Sequence, residues 1–348
     1  MLLTRRELLA ASAASALSVC AADAPRQRLG VVIHSYGIRS GAEREKPVAD
    51  RLNDPLRFVE HCRLLGAGGA QLPIGRREPE YLARLRNAVE AAKLYLEGSI
   101  SLPKDKGDVD RFAAEVQSAQ AAGAAVLRCA IGGRRYEQFD ADADFRAFAR
   151  RSWDALVLAE PVVTKHGVRL AIENHKDWLI FELLDMIKRI SSRHVGITVD
   201  TGNSIALLED PLEVVEAYAP WAMSCHLKDM GVQEYAEGFL LAEVPLGTGF
   251  LDLKKIVHIL KTARPELQFS LEMITRDPLR VPCLSKPYWA TFEKLPARQL
   301  AQALALVRKH ASKQPLPRVS SLNPAEQLKA EEANVRASLK FAGEQLGL

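Results

Sequence analysis

The sequence predicts an α/β protein of the (β/α)8 TIM barrel class, and three observations predict it. Short apolar runs alternate with amphipathic stretches, each long enough for one helix, through eight successive pairs. The apolar runs are continuous rather than alternating, as in parallel strands buried on both faces. Finally, four consecutive runs in the second half change abruptly to ionisable residues at their C-terminal ends, the end at which such barrels carry chemistry.

In chain order, the first strand is expected at residues 29–33, ending at His34-Ser35-Tyr36-Gly37. Asp54-Pro55 starts a helix reaching Leu65, with proline in the first turn, where its missing N–H is harmless. Strands at 68–73 and 95–103, the latter carrying Glu97, bracket a helix at 78–93. A helix at 109–122 leads to a strand at 124–130 and then to Gly132-Gly133-Arg134-Arg135-Tyr136-Glu137. A long helix at 144–166 precedes the strand at 168–172. Helices at 181–190 and 211–218 separate the next strands, and helices at 253–262 and 295–309 complete the eight pairs.

The four charged strand ends are the centre of the pattern. Val168-Arg169-Leu170-Ala171-Ile172 runs into Glu173-Asn174-His175-Lys176, and Val195-Gly196-Ile197-Thr198-Val199 into Asp200-Thr201-Gly202-Asn203. Ala222-Met223-Ser224-Cys225 runs into His226-Leu227-Lys228-Asp229, and Phe269-Ser270-Leu271 into Glu272. Three carboxylates and one imidazole delivered to one end of a barrel repel one another unless a positive charge lies among them. Glu173, Asp200, His226 and Glu272 are therefore the expected ligands of one divalent metal ion. The oxygen-rich set suits Mn or Mg, with Zn or Co as alternatives.

Two segments exceed a minimal barrel. The interval from His226 to Glu272 is 46 residues, against 27 and 26 for the two preceding intervals. The excess implies an extended loop between the seventh strand and seventh helix, read as a looped arm on the ligand face. Beyond Pro315 and Pro317, a further C-terminal helix from Asn323 or Pro324 to about Gln345 is expected to pack on the barrel wall or on a partner subunit, with a homo-oligomer as one outcome. The domain reading is thus a leader at 1–26, a barrel at 27–312, and a C-terminal linker and helix at 313–348.

The chain has 348 residues, 48% hydrophobic and 26% charged, with a formal net charge of +4 spread along its length. No basic tract demands nucleic acid. Cys20, Cys62, Cys129, Cys225 and Cys283 form no CxxC pair, which argues against a zinc ribbon or a disulfide framework. At the N-terminus, Arg5-Arg6 before a modest apolar segment resembles a twin-arginine export signal. The resemblance implies export of a folded, metal-loaded protein to the periplasm, with cleavage after Ala21 or Ala24. A leader that does not function would leave the protein cytoplasmic. The apolar segment is too short for a stable membrane anchor.

With Glu173, Asp200, His226 and Glu272 in this order and Pro245-Leu246-Gly247-Thr248-Gly249 before the eighth strand, residues 28–312 resemble the xylose isomerase-like barrels. That superfamily includes sugar epimerases, inosose dehydratases, hydroxypyruvate isomerases and endonuclease IV. The resemblance implies that Glu173 and Glu272 bind the metal and face opposite sides of a substrate, as proton acceptor and donor. The chemistry agrees: a cation chelated by a ketone oxygen and a neighbouring hydroxyl lowers the cost of the enediolate formed when the intervening C–H proton leaves.

The chain also departs from the family pattern. Many epimerases of this group carry histidine where this sequence has Asn203, and arginine where it has Val232. The larger histidine set of endonuclease IV is absent, so DNA repair is not expected.

The expected catalytic set is Glu173 and Glu272 with His175 and Lys176, and the expected substrate contacts are His34, Arg134, Arg135, Asn203, Lys228 and Arg276. This cationic surplus points to an anionic carbohydrate. Metal-dependent isomerisation or epimerisation of a keto sugar or keto sugar acid is the first functional reading. Decarboxylation or another lyase reaction of a 3-oxo sugar acid, through the same enediolate, is the alternative. A non-catalytic sugar-binding barrel is a third, disfavoured by the complete ligand set. Phe239, Tyr288 and Trp289 are candidate walls for the sugar.

Overall fold

In the computed structural model, residues 28–292 and 295–348 are described, and the leader expected at 1–26 lies outside them. Eight parallel strands close into a barrel in the order β1-β10-β7-β6-β5-β4-β3-β2. They are β1 (Gly30–Val32), β2 (Gly69–Pro73), β3 (Tyr95–Ser99), β4 (Val126–Cys129), β5 (Arg169–Glu173), β6 (Val195–Asp200), β7 (Ala222–Leu227) and β10 (Phe269–Leu271).

The outer ring is α1 (Pro55–Leu65), α2 (Pro79–Ala92), α3 (Val109–Ala121), α4 (Asp142–His166), α5 (Ile180–Ile190), α6 (Pro211–Tyr218), α7 (Leu253–Ala263) and α8 (Ala297–His310). Helix starts follow their caps. Asp54 accepts from the Leu56 N–H, Asp210 from those of Leu212 and Glu213, and Asp252 from that of Lys255. An extra helix, α9 (Pro324–Phe341), begins in an Asn323/Glu326 capping box.

The base of the barrel is closed by Tyr95, which lies across Gly30 and Gly69. A Cβ at Gly30 would meet its hydroxyl at 2.1 Å and one at Gly69 its ring at 2.4 Å, so both strands need glycine there. The Tyr95 hydroxyl donates to the Phe269 carbonyl at 2.6 Å.

Three expectations are corrected. The first strand stops at Val32, and Ile33–Tyr36 forms a 3-10 turn that carries His34 to the mouth. The third strand stops at Ser99 rather than at Pro103. The arm after β7 is no loop but a hairpin of β8 (Asp229–Tyr235) and β9 (Gly238–Val244), extended by β11 (Leu279–Val281) into an antiparallel sheet. Met230, Val232, Phe239 and Leu241 alternate onto one face, where they join Ile205, Leu207, Tyr288, Phe292 and Val307 in a second apolar core. Phe239 and Tyr288 are therefore core residues rather than sugar walls. Trp289 flanks this core and donates its indole N–H to the Cys283 carbonyl at 2.9 Å.

Candidate metal and substrate site

The C-terminal ends of β5, β6 and β7, and the residue after β10, bring Glu173, Asp200, His226 and Glu272 together. Each offers one donor atom, and the four atoms lie within 4.8 Å of one another. The His226 Nδ1 stands 3.6 Å from Glu173 Oε2, 3.8 Å from Asp200 Oδ2 and 3.5 Å from Glu272 Oε2. Bonds of about 2.0 to 2.2 Å place neighbouring ligands of one divalent ion roughly 3.0 to 3.5 Å apart, so a small contraction would enclose a cation.

Two buried atoms argue that the set fits such an ion. The His226 Nδ1 makes no hydrogen bond, and the Asp200 Oδ2 meets the Lys228 ammonium at 2.9 Å without a well-aligned hydrogen bond, although both are shielded from water. The remaining donor capacity of the four side chains is already directed. Asp200 Oδ1 accepts the Gly202 and Asn203 N–H groups at 2.9 Å each, which turns Oδ2 inward. His34 Nδ1 lies 2.9 Å from Glu272 Oε1, and the Asn203 amide donates to Glu173 Oε1 at 3.1 Å.

The imidazole is oriented from below. His226 Nε2 is 2.6 Å from Gln71 Oε1, Gln71 Nε2 donates to Glu97 Oε2 at 2.6 Å, and Ser224 Oγ donates to the same oxygen at 2.7 Å. Gln71 and Glu97 face each other across the β2–β3 register. Because Glu97 takes the amide N–H, the Gln71 oxygen is left for the His226 ring, which must then carry its proton on Nε2. In the neutral ring this presents the Nδ1 lone pair to the carboxylates, whose charges, against the effect of burial, raise the imidazole above its ordinary value while no metal is bound. The Gln71 bond is the hydrogen-bonded support that metal-binding histidines use.

Positive side chains balance the acids. Arg128, at the end of β4, forms a close ion pair with Glu173. The Lys228 ammonium lies 2.6 Å from Glu272 Oε2 and 2.9 Å from Asp200 Oδ2. Burial pushes all three carboxyls of the cluster upward. Arg128 and His226 nevertheless hold Glu173 below the usual range, Lys228 and His226 hold Glu272 well below it, and Asp200 stays raised by its burial. Burial would lower Lys228, but Asp200 and Glu272 hold its ammonium protonated.

Lys176 is different. Its Nζ, buried beside Lys228, bonds the amide oxygen of Asn203, the same atom that Lys228 reaches at 3.3 Å. Burial and the Lys228 charge lower Lys176 to about 8. His175, whose Nδ1 is 3.3 Å from the Gly133 carbonyl, is lowered to about 4 by burial and by Lys176.

Of the other sequence candidates, His34, Asn203 and Lys228 reach the cluster. Arg276 lies at its edge, paired through both guanidinium arms with the buried Glu243. Two candidates lie elsewhere. Arg134 pairs with Glu137 on the surface. The Arg135 guanidinium is enclosed between the Phe145 and Phe292 rings and bonded to Glu182 and Thr291, a structural post rather than a pocket-facing cation. Neither guanidinium reaches the cluster.

Gln71, Arg128 and Glu243 went unnoticed in the sequence. A polar residue inside an otherwise apolar barrel strand was the available signal for Gln71 and Arg128. Glu243 was hidden by reading its strand as loop.

The sequence is 34% identical over 94 residues to the 3-oxo-isoapionate decarboxylase of Pectobacterium atrosepticum, a match spanning 26% of this chain and 34% of that relative's length. Among solved structures, a D-psicose 3-epimerase crystallised in the presence of D-fructose superimposes with a TM-score of 0.58 at 13% identity, over 92% of this chain and 100% of that one. The 3-keto-D-glucoside 4-epimerase of E. coli gives 0.52 at 12% identity, over 81% and 99%. At such identities the superpositions show a shared fold. The sequence profile of one family matches residues 57–310. The chain belongs to the xylose isomerase-like TIM barrel family.

Proposed function

We propose that this protein is a divalent-metal-dependent decarboxylase of a 3-oxo sugar acid, with Glu173, Asp200, His226 and Glu272 as the metal ligands. The observation that carries this reading is the placement of Lys176. Lys228 has carboxylate partners in Asp200 and Glu272, whereas the Lys176 ammonium, equally buried, bonds only a neutral amide oxygen. A substrate carboxylate seated there would supply the missing counter-charge. The identity to a decarboxylase over part of the chain supports the same assignment.

The reaction needs few groups. The bond between the carboxylate carbon and its neighbour breaks, and its electron pair passes into the adjacent ketone, giving carbon dioxide and an enediolate. A divalent ion held by Glu173, Asp200, His226 and Glu272 would supply positive charge beside the developing negative oxygens. Lys176, lowered to about 8, holds a proton that it can release near neutral pH to the carbon that lost its carboxylate. His34 and Arg276, at the open rim, and Asn203 orient the sugar hydroxyls, while Lys228 keeps Glu272 ionised and pairs with Asp200.

Epimerisation or isomerisation of a keto sugar is the second reading. It is favoured by Glu173 and Glu272, which approach the cluster from β5 and β10 with β6 and β7 between them, as a two-sided proton exchange requires. Incubation of keto sugar acids and keto sugars with Mn2+-loaded protein in heavy water separates the two. Decarboxylation releases carbon dioxide. Deuterium uptake with all carbon conserved would overturn the proposal in favour of epimerisation, and neither signal would leave a binding barrel. Export guided by Arg5-Arg6 would place this chemistry in the periplasm, which cell fractionation tests. No helix among the described residues is long and apolar enough to cross a membrane.

A further inference from the structure

Helix α9 presents one stripe of side chains to three loops around the barrel mouth. Glu331, Asn334, Ser338 and Phe341 succeed one another at intervals of three or four residues and so share a face. The Glu331 carboxylate, 1% exposed, accepts the backbone N–H of Ile38 at 2.7 Å and that of Arg39 at 3.0 Å. These belong to the first turn of the short helix Gly37–Ala42, which follows directly on the turn holding His34. Its neighbour Glu332 accepts from the Tyr36 hydroxyl at 3.2 Å.

Two further contacts reach the other loops. The Asn334 amide donates to Thr275 Oγ1 at 2.9 Å, three residues beyond Glu272. The Leu246 N–H donates to Ser338 Oγ at 3.2 Å, and the Phe341 ring fills the space over Gly247, where a Cβ would meet it at 2.1 Å. Both α9 and the His34 segment lie outside residues 57–310, the stretch matched by the family profile.

We propose that α9 is a strap that holds the mouth loops in register, and that Glu331 is a positioning residue acting through the Gly37–Ala42 helix and His34 on Glu272. The linkage is continuous. Glu331 fixes the amides of Ile38 and Arg39, the preceding turn places His34 Nδ1 2.9 Å from Glu272 Oε1, and the other Glu272 oxygen faces the His226 Nδ1. Lys228 holds one oxygen of Glu272, and the bond from His34 fixes the other and with it the rotation of the carboxylate. Partners of this kind change metal affinity without touching the metal.

The test uses the full-length protein and Mn2+ as probe, with titration calorimetry, amide hydrogen exchange and the thermal midpoint read on the same samples. Glu331→Gln keeps the shape but turns an N–H-bearing group toward one of the two backbone donors. Val335→Ala, in the core on the same helix, opens a cavity without removing any hydrogen bond to the mouth loops. Glu331→Gln is expected to weaken Mn2+ binding about tenfold and to speed exchange across residues 34–42. Val335→Ala is expected to lower the midpoint with Mn2+ affinity unchanged.

Mn2+ affinities that fall in step with the midpoint in both variants would reduce α9 to general stabilisation, and unchanged exchange and affinity in Glu331→Gln would remove its role. If Glu331→Gln fails to fold, Asn334→Ala carries the test, read as faster exchange at residues 273–276, and unchanged exchange there overturns the strap. Only the Mn2+ arm rests on the metal reading. A wild type that binds no Mn2+ would refute that reading, while the exchange arm would still decide the strap.

Discussion

His226 Nε2 lies 2.6 Å from the side-chain oxygen of Gln71, and this bond decides which imidazole nitrogen faces the three carboxylates. Without it the ring could protonate on Nδ1 and present an N–H where a metal needs a lone pair. Gln71→Leu should therefore weaken divalent-metal binding by about 10- to 100-fold. Glu97→Gln should have a smaller effect, because the new side-chain oxygen can still accept from Gln71 Nε2. Calorimetric titration with Mn2+ checks both, and equal affinity in Gln71→Leu and wild type would show that the ring is oriented by other contacts.

Metal binding should register as stability. At a free concentration of 100 times the dissociation constant, one bound ion adds about 2.7 kcal/mol. The thermal midpoint should accordingly rise with Mn2+ and fall after treatment with a chelator. Asp200→Ala should abolish the rise, since it removes one of the four side chains that converge on the cluster. A midpoint shift that survives in Asp200→Ala would place the ion elsewhere.

The pH profile should carry the mark of Lys176. Its ammonium is lowered from 10.5 to about 8 by burial and by Lys228, so above about pH 8 it loses the charge assigned to the substrate carboxylate. The kcat/KM for a keto sugar acid, which reports the free enzyme, should decline on that basic limb. Lys176→Met should remove most turnover and with it the limb. The stability effect has the opposite sense. Between about 8 and 10.5 the unfolded chain binds the proton more tightly than the folded one, so this lysine's contribution to stability rises with pH across that window. Lys176→Met should flatten that slope in denaturant titrations.

Arg135→Ala should destabilise the fold by roughly 3 to 5 kcal/mol, since it leaves Glu182 without its buried partner and opens the space between the Phe145 and Phe292 rings. Metal affinity should not change. An unaltered denaturation midpoint together with lost turnover would return Arg135 to the substrate contacts.

Gly247→Ala tests the seat of α9. The residue has φ +84°, a conformation that costs a side chain roughly 1 to 3 kcal/mol, and its Cβ would collide with Phe341. A loss at or above the top of that range, measured by urea denaturation, is expected, and a loss under 1 kcal/mol would mean that α9 moves aside without cost.

Sequence alone determined the closed eight-strand frame and the order in which Glu173, Asp200, His226 and Glu272 reach its mouth. Buried parallel strands must be continuously apolar, and a carboxylate or imidazole at the end of such a strand has one place to go, the C-terminal mouth. Other features depended on which way a side chain points once strands and helices are packed. The lining Gln71 and Arg128 differ from outward polar residues only in facing the barrel axis. Arg134 and Arg135 sit beside the mouth in sequence yet turn away from it, and Glu243 enters the site on a strand whose alternation was masked by the glycines and proline around it. Lys176 and Lys228, 52 residues apart, share one amide oxygen because β5 and β7 both flank β6, which carries Asn203 just beyond its end. Such a meeting is a property of closure, and no local pattern of residues encodes it.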